Sequence, residues 1–243
     1  LGGTPKSVTK TGNADGTTPS QQQLSKLLEH YQSGRFNDAE NLALSITQEF
    51  PKHPFGWKVL GALFGQSGRY VEAVKANQTA VSLSPQDADV HNNLGNTLRE
   101  LGRLEEAEAS YRQAIVLAPD LADAHSNLGN TLQELDRLEE AEASYRQAIA
   151  LTPDYAEAHN NLGNALKELG RLDEAEASLR QAIALKADYS EAFYNLGSTL
   201  KDVGRLEEAE ASYRQAIALK ADYVKAHYNL GVLLKEAGRL EEA

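Results

Sequence analysis

The sequence predicts an all-α chain, a solenoid of stacked helix hairpins. Three observations carry that reading: a fixed step of 34 residues, two apolar stripes at helical spacing within each step, and glycine or proline where each stripe stops. The step is read from the glycines of "NLG" and its equivalents, Gly61, Gly95, Gly129, Gly163, Gly197 and Gly231, which keep phase with no insertion or deletion. A fixed period of this size is the signature of stacked repeats, in which each unit contacts only its neighbours.

The elements follow in order. Residues 1–19, LGGTPKSVTKTGNADGTTP, are Gly-, Thr-, Ser- and Pro-rich, with too few apolar side chains to offset the entropy of ordering, so they read as a flexible arm. From 20 to 243 the solenoid units start at 20, 54, 88, 122, 156, 190 and 224, and the last is cut short at Ala243. In the third unit the first stripe is Leu94, Leu98 and Leu101, and the second is Leu104, Ala107, Tyr111, Ala114, Ile115 and Leu117. The first helix should end at Gly102, Gly170, Gly204 and Gly238, where a missing Cβ permits the left-handed conformation; Asp136 holds that place in the fourth unit and is a poorer substitute. Pro51, Pro85, Pro119 and Pro153 should interrupt the second helix, with the following Asp capping the next one. Ala187 and Ala221 replace that proline, so longer or less sharply ended helices are expected there. Close helix approach is expected between glycine and alanine, as Gly129 with Ala141 and Gly163 with Ala175. Larger residues fill two other positions: Trp57, His91, His125, His159, Phe193 and His227 share one, and Tyr111, Tyr145, Leu179 and Tyr213 share the other.

Composition excludes several classes of function. The net charge is -11, of which the arm (Lys6, Lys10, Asp15) contributes +1 and the repeats -12. An acidic body repels phosphate backbones, which argues against nucleic acid. No apolar run approaches the roughly 18 residues that span a bilayer, and the first residues lack a signal-peptide layout, so no membrane is expected and the chain reads as soluble and cytoplasmic. Zero cysteines removes disulfides, thiolate nucleophiles and Cys-ligated metals, and with no methionine Leu1 is expected to lie inside a longer chain. The glutamates of RLEEAEAS read as a solvated outer face. His91, His125, His159 and His227 recur once per unit, on the order of 10 Å apart, too far to share a metal. No phosphate loop, nucleophile elbow or zinc spacing appears, so no catalytic residue, metal or cofactor is expected and the fragment is not itself an enzyme.

The large ring, then LG, then alanine, an aromatic, alanine and proline at 34-residue spacing resembles the tetratricopeptide repeat (TPR) family over residues 20–243. The first unit departs most, with Gln23, Lys26 and Leu27 at the motif places, which suits a terminal cap. The wording of the repeats also resembles the TPR arm of O-linked N-acetylglucosamine transferases and similar bacterial repeat proteins. The resemblance implies a right-handed superhelix whose first helices line a concave groove.

With Leu94, Leu98 and Leu101 buried, the groove side of that first helix would carry Asn92, Asn93, Asn96 and Arg99. Two rows recur: Asn93, Asn127, Asn161, Asn195 and Asn229, then Asn96, Asn130, Asn164, Ser198 and Val232. Asn160, Tyr194 and Tyr228 adjoin the first row, and Lys167, Lys201 and Lys235 follow Arg99 beneath it. Asparagine is a mediocre helix former, so five in register are not explained by propensity. A carboxamide donates and accepts, the set needed to bond the backbone of an extended peptide whatever its side chains. The same row would also remain after recent duplication, with the carboxamides bonding only neighbouring helices or water. Asp89, Asp123, Glu157 and Glu191 stand where family members that clamp a peptide carboxylate carry Lys or Arg; only Lys225 fits, which argues against such a clamp. The expected function is a protein–protein interaction module holding an extended polypeptide in an asparagine-lined groove. Two alternatives stand beside it: the substrate-presenting arm of a larger glycosyl- or sulfo-transferase, and a self-assembling scaffold. The N-terminal arm of a neighbouring molecule is a candidate occupant, with Lys6 and Lys10 reaching Glu134, Glu157 or Glu168. End-to-end or dimeric self-association is expected if Leu230, Leu233 or Leu234 in the last first-helix lies uncovered.

Overall fold

Two helices are laid down per period, and the turn between them is set by one residue of positive φ. The structure, a computed structural model, describes residues 18–237 and 239. They fall into two compact units, one running to Arg103 and one starting at Leu104. In the first unit, helices α1 (Gln21–Gln32), α2 (Phe36–Glu49), α3 (Pro54–Gln66), α4 (Tyr70–Leu83) and α5 (Ala88–Glu100) pack each on the next. In the second, α6 (Leu104–Leu117), α7 (Ala122–Glu134), α8 (Leu138–Leu151), α9 (Ala156–Glu168), α10 (Leu172–Leu185), α11 (Ser190–Asp202), α12 (Leu206–Leu219) and α13 (Val224–Glu236) do the same. No strand occurs among the described residues. The arm expected over residues 1–19 lies outside them up to residue 17, as does Gly238.

The turn inside each hairpin is closed by a long backbone bond from the arginine that follows the glycine: Arg35 N–H to His30 O (2.9 Å), Arg137 to Leu132 (2.9 Å), Arg171 to Leu166 (2.8 Å) and Arg205 to Leu200 (2.9 Å). That six-residue closure needs a left-handed residue before the arginine. Gly34, Gly68, Gly102, Gly170 and Gly204 supply it at φ 70 to 80°, and Asp136 does so at φ 59° despite its Cβ.

The turn between hairpins differs from expectation. Helices α10 and α12 end at Leu185 and Leu219, in the same register as α8 at Leu151, although alanine replaces proline after them. The residue before the proline place already leaves helical geometry in every case: Thr152 at ψ 87°, Lys186 at 92° and Lys220 at 93°. One backbone bond then closes the turn, from Tyr155, Tyr189 or Tyr223 N–H to that residue's carbonyl. Proline is compatible with this stop and is not its cause. Nor do Asp154, Asp188 and Asp222 cap the next helix, for the N-cap residues of α9, α11 and α13 are Tyr155, Tyr189 and Tyr223, with no side-chain bond. Side-chain caps come from Ser20, which with Gln23 makes a capping box, and from Asp87.

A second feature of these turns is a latch. The Nε2 of His91, His125, His159 and His227 lies 2.9–3.1 Å from the carbonyl oxygen of Pro85, Pro119, Pro153 or Ala221, and Trp57 Nε1 donates to Pro51 O at 2.9 Å. The repeated large ring therefore supplies an N–H as well as bulk.

Inside the hairpins the glycine of the first helix faces a large side chain. A Cβ on Gly129 would stand 2.6 Å from the Tyr145 ring, on Gly163 2.6 Å from Leu179, and on Gly197 2.9 Å from Tyr213. Tyr145, Leu179 and Tyr213 are all fully buried. The expected glycine–alanine approach is thus an approach of glycine to a large side chain, with the alanine adding only backbone contacts such as Ala175 O and Ala209 O. In α13, Leu233 and Leu234 are buried; Leu233 belongs to the cluster of Leu179, Leu196, Leu200 and Tyr213, with Leu230 packed against it. These leucines therefore do not form the uncovered stripe expected of them.

The glutamate-rich face is only partly solvated. Glu108, Glu142, Glu176 and Glu210 keep just 13–16% side-chain exposure. Each receives the turn arginine of the next hairpin: Arg137 on Glu108 (2.7 Å), Arg171 on Glu142 (2.5 Å) and Arg205 on Glu176 (2.6 Å). The same arginines bond Glu140, Glu174 and Glu208, and Arg112, Arg146 and Arg180 close the other side, so rings of four charges tie successive second helices. Hydrogen bonds from Arg137, Arg171 and Arg205 hold Glu140, Glu174 and Glu208 below the usual carboxylate range. Burial pushes Glu142 and Glu176 up, but their paired arginines outweigh it and the net shift is downward.

Candidate peptide-binding face

Burial of one leucine stripe on each first helix fixes which side faces away from the hairpin. In α7, α9 and α11, Leu128, Leu132, Leu162, Leu166, Leu196 and Leu200 are buried, so the opposite side presents asparagines. Successive first helices touch along it, α7 with α9, α9 with α11, and α3 with α5 in the first unit.

Carboxamides bridge these contacts. Asn161 Nδ2 donates to Asn130 Oδ1 at 2.9 Å, Asn160 Nδ2 to Asn161 Oδ1 at 3.2 Å, and Asn195 Nδ2 to Asn160 Oδ1 at 3.0 Å, one chain running across α7, α9 and α11. Asn229 Nδ2 continues the pattern to Tyr194 OH at 3.2 Å. At the α7 end the Tyr145 hydroxyl lies 2.8 Å from Asn130 Oδ1 and 3.0 Å from Gln133 Oε1. Beneath, Gln133 and Asn164 both donate to Glu168 Oε1 (2.7 and 2.9 Å), while Lys167 bonds Ser198 Oγ (2.7 Å) and pairs with Asp202.

Part of the expected row therefore tethers neighbouring helices. Two N–H groups and two acceptor lone pairs belong to each carboxamide, and Asn161 spends one of each on its neighbours, its other donor and acceptor having no partner among the described residues. Asn160 is 1% exposed and is hydrogen-bonded to Asn161 and Asn195. Asn92, Asn93, Asn96, Asn127, Asn130, Asn161, Asn164, Asn195 and Asn229 are half-buried, and Tyr228 is exposed. Tyr194 sits between the rings of Tyr213 and Tyr223, centroids 5.9 and 5.2 Å away. Arg99 lies 3.4 Å from Glu100, Lys201 is 3.9 Å from Glu236, and Lys235 is exposed, a mixed-sign strip.

Among the described residues, two recesses are lined by this side. One, of about 230 Å³, is lined in the second unit by Asn161, Asn164, Tyr194, Asn195, Tyr223 and Lys225. Burial pushes the Tyr223 phenol up to about 12, so it stays a neutral donor at physiological pH. The other, of about 420 Å³, lies in the first unit among Tyr31, Gly65, Tyr70, Asn93, Asn96 and Glu100. Tyr31, Tyr70 and Tyr223 are not legible in the sequence as site residues, because none shares a position with the repeated rows. Among the described residues no group of three or more His, Asp or Glu could hold a metal ion, and no helix is long and apolar enough to cross a membrane.

The pattern of the TPR repeat matches residues 61–98, 95–136, 132–170, 163–204 and 197–238, more than half of the chain. The chain belongs to the TPR repeat family. Being built of TPR repeats, it is a protein–protein interaction module, and its fold is the all-α helix-turn-helix solenoid of that family. No curated protein matches it. Among solved structures, the TPR chain resembles the anaphase-promoting complex heterotetramer Cut9–Hcn1 (TM-score 0.78, 17% identity, 87% of this chain and 42% of that one). It also resembles YrrB, described as a TPR protein with an unusual peptide-binding site (TM-score 0.61, 21% identity, 77% and 96%). A third likeness is TTC0263, a thermophilic TPR protein of Thermus thermophilus (TM-score 0.62, 26% identity, 75% and 99%). The chain thus spans less than half the length of the first of these and nearly all of the other two.

Proposed function

We propose that the first-helix face of this TPR array binds an extended polypeptide through its asparagine side chains. The observation that carries the reading is the row Asn127, Asn161, Asn195 and Asn229, half-buried and in register; Asn161 and Asn195 are held by carboxamides of the preceding first helix and Asn229 by Tyr194. A donor fixed in place loses less entropy when it bonds a ligand, so the tethers that occupy part of each carboxamide also preorganise the remainder. Mixed charge beside the row favours backbone recognition over a ligand of one sign. YrrB, similar in fold, is described as having a peptide-binding site, which agrees with this use of the family scaffold.

The test is a displayed peptide library selected on the wild-type protein and on a variant with Asn93, Asn127, Asn161, Asn195 and Asn229 changed to alanine, with helicity of both checked by circular dichroism. Each lost bond contributes about 0.5–1.5 kcal/mol, so peptides of unrelated sequence should weaken together. Selected peptides that bind the folded variant as they bind wild type would overturn the proposal.

A further inference from the structure

We infer that the first unit carries a side-chain pocket for a tyrosine of the bound polypeptide. The inference deepens the peptide-binding reading and rests on it. In the second unit the seam between α7 and α9 is filled from within. Tyr145 lays its ring over Gly129 and brings its hydroxyl to Asn130 and Gln133; Asn130 accepts from Asn161, and Gln133 donates to Glu168.

Two repeats earlier, at the same seam between α3 and α5, all three filling side chains are truncated. Asn77 stands for Tyr145, Ala62 for Asn130 and Gly65 for Gln133. The result is the recess of about 420 Å³, floored by Gly61, Ala62 and Gly65 and walled by Asn93, Thr97 and Glu100. Many water volumes fit there. The groups that met the filling side chains remain: Glu100 corresponds to Glu168, and Asn93 to Asn161, and among the described residues the Asn93 carboxamide has no side-chain hydrogen bond.

A second observation marks the same place. Asn77 is 1% exposed and turns its Nδ2 to Asn93 O (3.3 Å) and Thr97 Oγ1 (3.0 Å), which leaves its Oδ1 buried against Gly61 with no partner. Buried acceptors without partners are uncommon, and this one adjoins the recess through Gly61. What the seam lacks relative to its counterpart is a phenol ring. Its rim offers Tyr31, whose hydroxyl is held by Gln66 Nε2 at 3.0 Å, and Tyr70 for ring contact, with the Glu100 carboxylate as an acceptor for a hydroxyl. A tyrosine side chain from the ligand supplies the ring and the hydroxyl together, and phenylalanine supplies only the ring.

The experiment titrates p-cresol into ¹⁵N-labelled protein and follows the amides of Gly61, Gly65 and Asn93, first in wild type and then in Asn77→Tyr, which restores the filling side chain. Gly65→Gln is the second variant; a Cβ there meets nothing within 4 Å among the described residues, so it blocks the recess without loading the core. Shifts confined to the recess in wild type and abolished in both variants are expected, with toluene shifting the same amides more weakly. No shifts at those amides, or shifts that persist in both variants, would overturn the pocket. Library peptides separate this from the wider reading: enrichment in tyrosine, with affinity reduced about tenfold or more by Gly65→Gln, supports the pocket. Peptides that bind with no tyrosine enrichment and no effect of Gly65→Gln would sink the pocket and leave the groove standing.

Discussion

Alanine at two first-helix glycines should change stability in opposite directions. Gly129 lies in α7 and Gly65 in α3, and their surroundings differ. A Cβ at Gly129 would lie 2.6, 2.7 and 3.0 Å from three Tyr145 ring atoms, the first two closer than real contacts allow; at Gly65 it would meet nothing within 4 Å among the described residues. Tyr145 has no room to withdraw, being fully buried with its hydroxyl held at Asn130 and Gln133. Overpacking of that kind costs about 1–3 kcal/mol. Replacing a helical glycine by alanine returns about 1 kcal/mol of propensity. Gly129→Ala should therefore lose up to about 2 kcal/mol net, whereas Gly65→Ala should gain up to about 1 kcal/mol. The assay is urea unfolding followed by far-ultraviolet circular dichroism, with the transition midpoint compared at constant slope so that a change in cooperativity of the array is not mistaken for stability. Equal shifts of the same sign in the two variants would refute the glycine–ring packing derived above.

Three further outcomes are expected. Asp136→Gly removes a Cβ from a residue at φ 59° and should raise stability by about 1 kcal/mol, seen as a higher urea midpoint; a lower midpoint would show that the aspartate holds the turn in another way. His125→Phe keeps the ring but deletes the bond to Pro119 O and should cost about 1 kcal/mol, whereas Phe193→His, at the place that lacks the latch, should gain stability; no difference between the pair would remove the latch. Acid should weaken the array through the charge rings: Glu140, Glu142, Glu174, Glu176 and Glu208 are held below the ordinary carboxyl value of 4.5, so the unfolded chain takes up protons first as pH falls. Their contribution is present above about 4.5 and lost as pH falls through the lowered values, so melting temperature should drop below that point, and less so when Glu142 and Glu176 are glutamine.

The period, the hairpins and the left-handed turn residue are legible because each is written in single positions that recur, and Asp136 can be placed by register alone. What escapes the sequence is chemistry that depends on partners from different repeats. The histidines read as bulk because their acceptor is a backbone carbonyl, invisible in a residue pattern. Glu108 and Glu142 read as solvated because the arginines that bury them come from the following hairpin. Proline reads as the cause of the helix ends, yet the helices stop before it, as the unchanged ends of α10 and α12 reveal. The asparagine row falls on the expected helices, but its bonds between neighbours depend on which carboxamide points along the row, and one-letter spacing does not carry that. The recess in the first unit is a difference between repeats, formed by Asn77, Ala62 and Gly65 together, and no one of the three departs enough to be noticed alone.

Contact between ligand backbone and the asparagine side chains can be watched directly at those side chains. Protein labelled with ¹⁵N only in asparagine gives resolved Nδ2 signals, and a library-selected peptide is titrated while they are recorded. Binding along the first-helix face predicts that the side-chain signals of Asn127, Asn161, Asn195 and Asn229 move together and saturate at one affinity, with Asn77, on a second helix and buried, unmoved by a peptide that carries no tyrosine. Saturable binding that leaves those four signals in place would contradict the account.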